Sequence, residues 1–171
     1  MAVEITPERP DDHAAIGAVH CAAFNDTYEA GVVAGLRDGG FAIASLVARV
    51  DRQVAGHVMF SRMTVRVDGR DVPAAALAPL AVDENWRRLG LGSRLVEAGI
   101  EAAREAGMHC AVVLGEPTYY RRFGFSLQAI AHLRTPYGPG KLMGLELLSG
   151  VLSGVVGEVL YPAPFSRTQF P

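Results

Sequence analysis

The sequence predicts an α/β (α+β) fold in which strands and helices share one core and consecutive strands run antiparallel. Three observations predict it. Apolar runs of strand length are interleaved with segments whose apolar residues recur at helical spacing. Asp51-Arg52 and Asp68-Gly69 each join two apolar runs, and Asp-Gly in that setting is a strong hairpin signal. Cys110 to Leu114 is apolar throughout, as expected of a strand buried on both faces.

Taken in order, Val3 to Ile5 alternates and reads as a first strand. Asp11 and Asp12 are placed to cap a helix running to about Phe24, whose apolar stripe is Ala14, Ala15, Ala18, Val19 and Ala22. Asp26 or Thr27 starts a second helix, which Gly39-Gly40 ends. Ile43 to Val50, Val54 to Val67 and Val72 to Val82 read as three strands joined by the two turns. A helix follows with Leu91, Leu95, Val96, Ile100 and Ala103 on one face and Arg94, Glu97, Glu101 and Arg104 on the other. Gly107 ends it. After Cys110 to Leu114, Pro117 opens a short helix to about Phe123. Phe125 to Ile130, Leu142 to Leu148 and Val155 to Tyr161 read as closing strands. Their exposed edges point to a homodimer.

The chain has 171 residues, enough for one compact domain with a real core. The formal net charge of -2 supplies no basic field for nucleic acid or an anionic membrane. Cys21 and Cys110 make no CxxC pair, which suits a reducing compartment. The N-terminus has no basic region followed by an apolar one, so no signal peptide is expected. No uncharged apolar run approaches the ~20 residues needed to cross a bilayer. The expectation is a soluble cytoplasmic protein.

The chemistry concentrates in "WRRLGLGSRLVEAGIEAAREAG", residues Trp86 to Gly107. Glycines between a strand and a helix let the backbone approach a ligand closely. The first helical N–H groups lack intrahelical partners, and the helix dipole favours an anion there. Phosphate or diphosphate is the usual occupant. Arg87 and Arg88 add charge-assisted donors. A surface turn with two solvated arginines is the plainer alternative. The Walker loop is excluded because no Gly-Lys-Ser/Thr is present. The dinucleotide fingerprint is excluded because Leu95 stands where a third small residue is required. There is no His-Glu-x-x-His, no metal-spaced Cys/His cluster and no Gly-x-Ser-x-Gly, so no metal site is expected.

The chain resembles the GNAT superfamily of N-acetyltransferases. Leu80-Ala81-Val82 followed by Arg87-x-x-Gly90-x-Gly92 is similar to the family's coenzyme A motif. Tyr120-x-x-x-Gly124-Phe125 is similar to its tyrosine and Gly-Phe pair, and the element order parallels its fold. "VVLGEPTYYRRFGF" resembles a bacterial subgroup of predicted N-acetyltransferases. The resemblance implies one domain over residues 1–171, with a mixed, largely antiparallel central sheet flanked by helices. A coenzyme A cleft would lie between the two central strands, and acetyl-CoA would be the acyl donor. It implies that the backbone from Arg88 through Leu89, Gly90, Leu91 and Gly92 to Ser93, with Arg87 close by, holds the pyrophosphate. Leu80, Ala81 and Val82 would pair with the pantetheine amides.

The implied reaction is direct attack of an amine on the thioester. The resemblance puts the Leu80 backbone N–H at the oxyanion and Tyr120 at the leaving thiolate. Tyr119 is the fallback, and a core tyrosine packed on Phe123 and Phe125 is the alternative for Tyr120. Many family members carry a glutamate on the strand before the loop, and Ala76 stands there in this sequence. Glu116, Glu29, His132, a water chain and the terminal carboxylate of Pro171 remain as bases, and Glu116 is also placed to cap a helix. The acceptor, a small-molecule or peptide amine, would sit near Phe24 to Glu29 and Leu133 to Lys141. Two other readings compete: a non-catalytic acyl-CoA-binding or sensing domain, and a nucleotide-binding module.

Overall fold

Two tight turns build the centre of the sheet. Asp51, Arg52, Asp68 and Gly69 all take positive φ, and they reverse the chain between β2 (Ala42–Val50), β3 (Gln53–Val67) and β4 (Arg70–Val82). The computed structural model describes residues 1–166 of the chain. The remaining elements are β1 (Val3–Pro7), α1 (His13–Phe24), α2 (Tyr28–Asp38), α3 (Leu91–Glu105), β5 (Cys110–Leu114), the single turn α4 (Pro117–Tyr120), β6 (Leu142–Glu146) and β7 (Gly157–Leu160).

The strands form one sheet in the order β1-β2-β3-β4-β5-β6, and β7 pairs with the far end of β3. Every pairing is antiparallel except β4 with β5. α3 makes the crossover that this one parallel pair requires. The sheet is therefore mixed and largely antiparallel, as expected.

Period-2 alternation sends successive side chains to opposite faces. Val58, Phe60, Leu77 and Val113 meet Leu91, Leu95 and Val96 of α3. On the other face Val47 and Met59 meet Ile16 of α1 and Val32, Val33 and Leu36 of α2. At the far end Val65, Ala76 and Val112 pack on Ile130, Leu133 and Leu152. β5 is thus buried on both faces. α3 lies close to the sheet because Gly99 has no side chain: a Cβ there would fall 2.0 Å from the Phe60 ring.

Three local expectations are corrected. Asp12 occupies the N-cap position of α1 but makes no capping bond to it. Its carboxylate instead accepts from Arg49 at 2.6 and 3.0 Å and from the Arg9 amide at 2.7 Å. A buried guanidinium outcompetes a helix amide because the pair is ionic and bidentate. Phe125 to Ile130 is not a strand. Ser126 makes one bridge to Gly144, and then its Oγ accepts from the Gln128 amide and turns the chain into a 3-10 turn, Gln128–Ile130. The last two strands are shorter than the sequence suggests, and their outer sides are partly occupied. Gly144 exchanges bonds with Ser126, and Arg134 exchanges bonds with Gly157 and Val159.

One irregularity positions the site. β4 and β5 pair only from Ala74/Cys110 to Leu77/Val113. Beyond Leu77, β4 continues along β3 to Val82 after a register shift between Val58 and Phe60, and its other edge loses its strand partner. The peptide between Ala78 and Pro79 is cis.

Candidate functional site

Backbone alternation decides which groups of β4 enter the gap. The Asp83 amide donates to Ala55 of β3 at 2.8 Å, so Ala81, two residues earlier, also faces β3, opposite His57. Leu80 and Val82 then direct their N–H and C=O away from β3, into the open side. The Val82 carbonyl there accepts from Arg87 Nε at 3.3 Å. Of the three residues expected to offer backbone groups, Leu80 and Val82 turn theirs to the open side, and the Ala81 groups are turned toward β3.

The loop that follows has the geometry of an anion cradle. Arg88 takes φ +68° and Gly90 φ +75°. For a non-glycine such as Arg88 this is a costly conformation, of the kind functional loops retain. α3 begins at Leu91, and its first backbone bond runs from the Arg94 amide to the Gly90 carbonyl at 3.1 Å. The amides of Leu91, Gly92 and Ser93 precede that ladder and are available at the helix N-terminus. Arg87, Arg88, Leu89 and Gly90 are exposed.

A residue that the sequence reading missed joins this cradle. Arg122 Nη2 donates to Ser93 Oγ at 3.2 Å, and its guanidinium carbon lies 4.5 Å from the centre of the Tyr119 ring. Together with Arg87, Arg88, Gly90 and Gly92, it lines a hollow of about 340 Å³. The signal was present only as a second arginine in "YYRRF", and nothing local aims it across to α3.

The two tyrosines diverge. The Tyr119 hydroxyl lies 3.5 Å from Ser93 Oγ. Tyr120 packs edge-on to Tyr119 at 4.9 Å and to Phe125 at 5.9 Å. Burial pushes the Tyr120 phenol up to about 12. Tyr120 thus packs in an aromatic cluster, as its alternative expectation has it, and also lines a second cavity, of about 580 Å³.

That cavity opens where β4 and β5 separate. Leu77 to Leu80 form one wall, Leu114 to Glu116 another, and Phe24, Tyr28, Glu29 and Val32 of the first two helices a third. Tyr137, Tyr161 and Phe165 close it, and Tyr119 belongs to both cavity and cradle hollow. Of the segment Leu133 to Lys141, only Tyr137 lines it.

The proposed bases separate by place. Glu116 is exposed at the cavity rim. It stands at the N-cap of α4, but its side chain makes no capping bond. Glu29 is half-buried in the wall, with Oε2 buried and without a donor among the described residues. His132 lies elsewhere, with Nε2 2.9 Å from the Leu152 carbonyl, and does not line the cavity. Ala76 is fully buried between Ser61 and Val112. Pro171 lies outside the described residues. Among the described residues no cluster of His, Cys, Asp or Glu could hold a metal, and no helix is long and apolar enough to cross a membrane.

The comparisons with known proteins show the family. A family model described as an acetyltransferase (GNAT) domain matches residues 4–128. The chain is 40% identical over 167 residues to the uncharacterized N-acetyltransferase YhbS of Escherichia coli K12, covering 95% of this chain and 98% of that protein. A 1.55 Å crystal structure of YhbS from Escherichia coli, in complex with CoA, superposes with a TM-score of 0.85 over 96% of this chain and 92% of that one. A GNAT family acetyltransferase from Brucella melitensis, solved in complex with acetyl-CoA, is 32% identical with a TM-score of 0.79, over 96% of this chain and 99% of that one. A cradle, an open strand edge and an adjoining cavity on this sheet, together with these matches, establish that the chain belongs to the GNAT family of acetyltransferases.

Proposed function

We propose that the chain transfers an acetyl group from acetyl-CoA to a primary amine by direct attack of the amine on the thioester carbon. One observation carries this reading: the cradle at Arg88–Ser93 and the cavity at the β4–β5 gap adjoin through a shared residue, Tyr119, along the open edge of β4. A phosphate-bearing thioester fits that path, with its anion at the helix N-terminus and its acyl end in the cavity.

In the reaction a C–N bond forms and the thioester C–S bond breaks. The amine gives up a proton, and the sulfur departs as a thiolate that takes its proton from water. The cradle amides, with Arg87, Arg88 and Arg122, hold the pyrophosphate. Leu80 and Val82 offer backbone groups to the pantetheine amides. The Leu80 N–H stabilises the developing oxyanion, a contribution of ~3 kcal/mol for a donor of this type. Tyr120, kept protonated by burial, donates to the departing sulfur. A phenol held near 12 suits a hydrogen bond to the thiolate better than full transfer, because a proton donor works best near the operating pH. Glu116, at the solvent end of the cavity, receives the amine's proton through water.

A second reading, a non-catalytic acyl-CoA-binding or sensing domain, is favoured by the buried Ala76 alone. Calorimetric titration with CoA, using ATP and NAD as controls, followed by acetyl-CoA thiol release with a panel of amines, separates the two. Saturable CoA binding with amine-dependent release supports transfer. Binding without release leaves the sensing reading. No binding of CoA by the folded protein removes both.

A further inference from the structure

The cavity wall carries more information than a generic amine site requires. Seven of its described lining side chains are aromatic. Among the described lining residues the ionisable groups besides the tyrosines are two carboxylates, Glu29 and Glu116, and none is Lys, Arg or His. Among the described residues Glu29 makes no ion pair and its Oε2 has no donor. A buried polar oxygen left unsatisfied is costly, and a bound donor removes that cost.

These features select a class of ligand. Aromatic faces attract ammonium groups and stack on flat apolar bodies. The unpaired carboxylate complements an ammonium. A carboxylate on the ligand would meet Glu29 and Glu116 and, among the described lining residues, no cation, a repulsive arrangement that disfavours such ligands. The volume, about 580 Å³, is that of a small-molecule pocket.

Resting on the transfer reading above, we infer that the acceptor is a small primary amine, bound as its ammonium beside Glu29, on an apolar or aromatic body that bears no carboxylate. Glu29 is the specificity-determining residue. Free amino acids are rejected by the repulsion of their carboxylate from Glu29 and Glu116, and neutral analogues by the loss of the ammonium.

Three probes that share one body test this: 2-phenylethylamine, phenylalanine, and 2-phenylethanol. Each is titrated calorimetrically into the protein saturated with CoA, and the two amines are assayed for acetyl-CoA thiol release. The expected result is that 2-phenylethylamine binds at least tenfold more tightly than either other probe and drives release. In Glu29→Gln that preference falls at least tenfold while CoA affinity stays at the wild-type value. Equal binding of phenylalanine or of the alcohol overturns the inference. So does no binding of the amine to CoA-saturated protein, or a Glu29→Gln variant with unchanged preference. If that variant does not fold, the comparison of probes on the wild-type protein decides alone. Failure to bind CoA at all would instead overturn the transfer reading on which this rests.

Discussion

The Tyr119 hydroxyl lies 2.9 Å from the position a Cβ would take on Gly92. The absence of one side chain at the first turn of α3 thus lets a tyrosine from beyond β5 close the gap between cradle and cavity. The contact is with the far end of a side chain, so an added methyl displaces Tyr119 rather than the backbone. Gly92→Ala is expected to weaken CoA binding about tenfold with little change in melting temperature. Titration calorimetry and a thermal melt on the same variant check both halves.

Arg122 should behave as a cradle residue although it lies far along the chain from Gly90. Its guanidinium is fixed by Ser93 and the Tyr119 ring, which leaves its charge beside the helix N-terminus. Arg122→Gln is expected to lower CoA affinity by about 1 kcal/mol, the value of a charge-assisted bond reduced by its exposure to solvent. The loss should shrink as salt is raised, because exposed charges are screened. Gly90→Asp should lose more. It places a non-glycine at φ +75° and a negative charge in the cradle. Affinities measured at low and high salt test both variants.

The two tyrosines should separate binding from turnover. Tyr120→Phe removes a hydroxyl whose burial holds it near 12, and is expected to lower kcat about tenfold or more with CoA affinity unchanged. Tyr119→Phe removes the hydroxyl beside Ser93 and is expected to act mainly on CoA affinity. Steady-state kinetics beside direct binding distinguish the two. Full activity in Tyr120→Phe would return that residue to the aromatic cluster.

A buried histidine pair sets an acid limit on stability. His20 Nε2 lies 2.8 Å from His57 Nδ1, and His57 Nε2 lies 2.7 Å from Ser45 Oγ and 3.7 Å from Glu8 Oε2. Burial lowers His20 to about 4 and, with the His20 charge, His57 to about 3. In the unfolded chain both titrate near ~6.5. The unfolded state therefore binds more protons between those values, and stability falls as pH drops from ~6.5 toward 4. Melting temperatures from pH 7 to pH 4 should show this fall, and His20→Gln should flatten it. An unchanged slope in the variant would assign the acid limit to carboxylates instead.

The sequence by itself determined what contiguous residues encode. Asp68-Gly69 specifies a turn because its residues tolerate positive φ, and the alternation on either side of it sets which faces of β3 and β4 are buried. The Arg87-x-x-Gly90-x-Gly92 spacing specifies a cradle because it joins a strand end to a helix start within a few residues. The same locality explains the misreadings. Phe125 to Ile130 has strand-like composition, but Ser126 captures the Gln128 amide and turns the chain. Asp12 has a capping position, but Arg49, far along the chain, takes its carboxylate.

Only the tertiary structure decided which side chains converge. The early end of β4–β5 pairing puts Glu29, Glu116 and Tyr120 around one cavity and leaves His132 outside it. Arg122 reaches Ser93 because α4 follows β5 across the gap, and Ala81 turns from the cleft because its register with β3 is odd relative to Leu80. Helical and strand periods are properties of neighbouring residues. A binding site depends on where register shifts and chain crossings bring distant segments, and no local spacing carries that information.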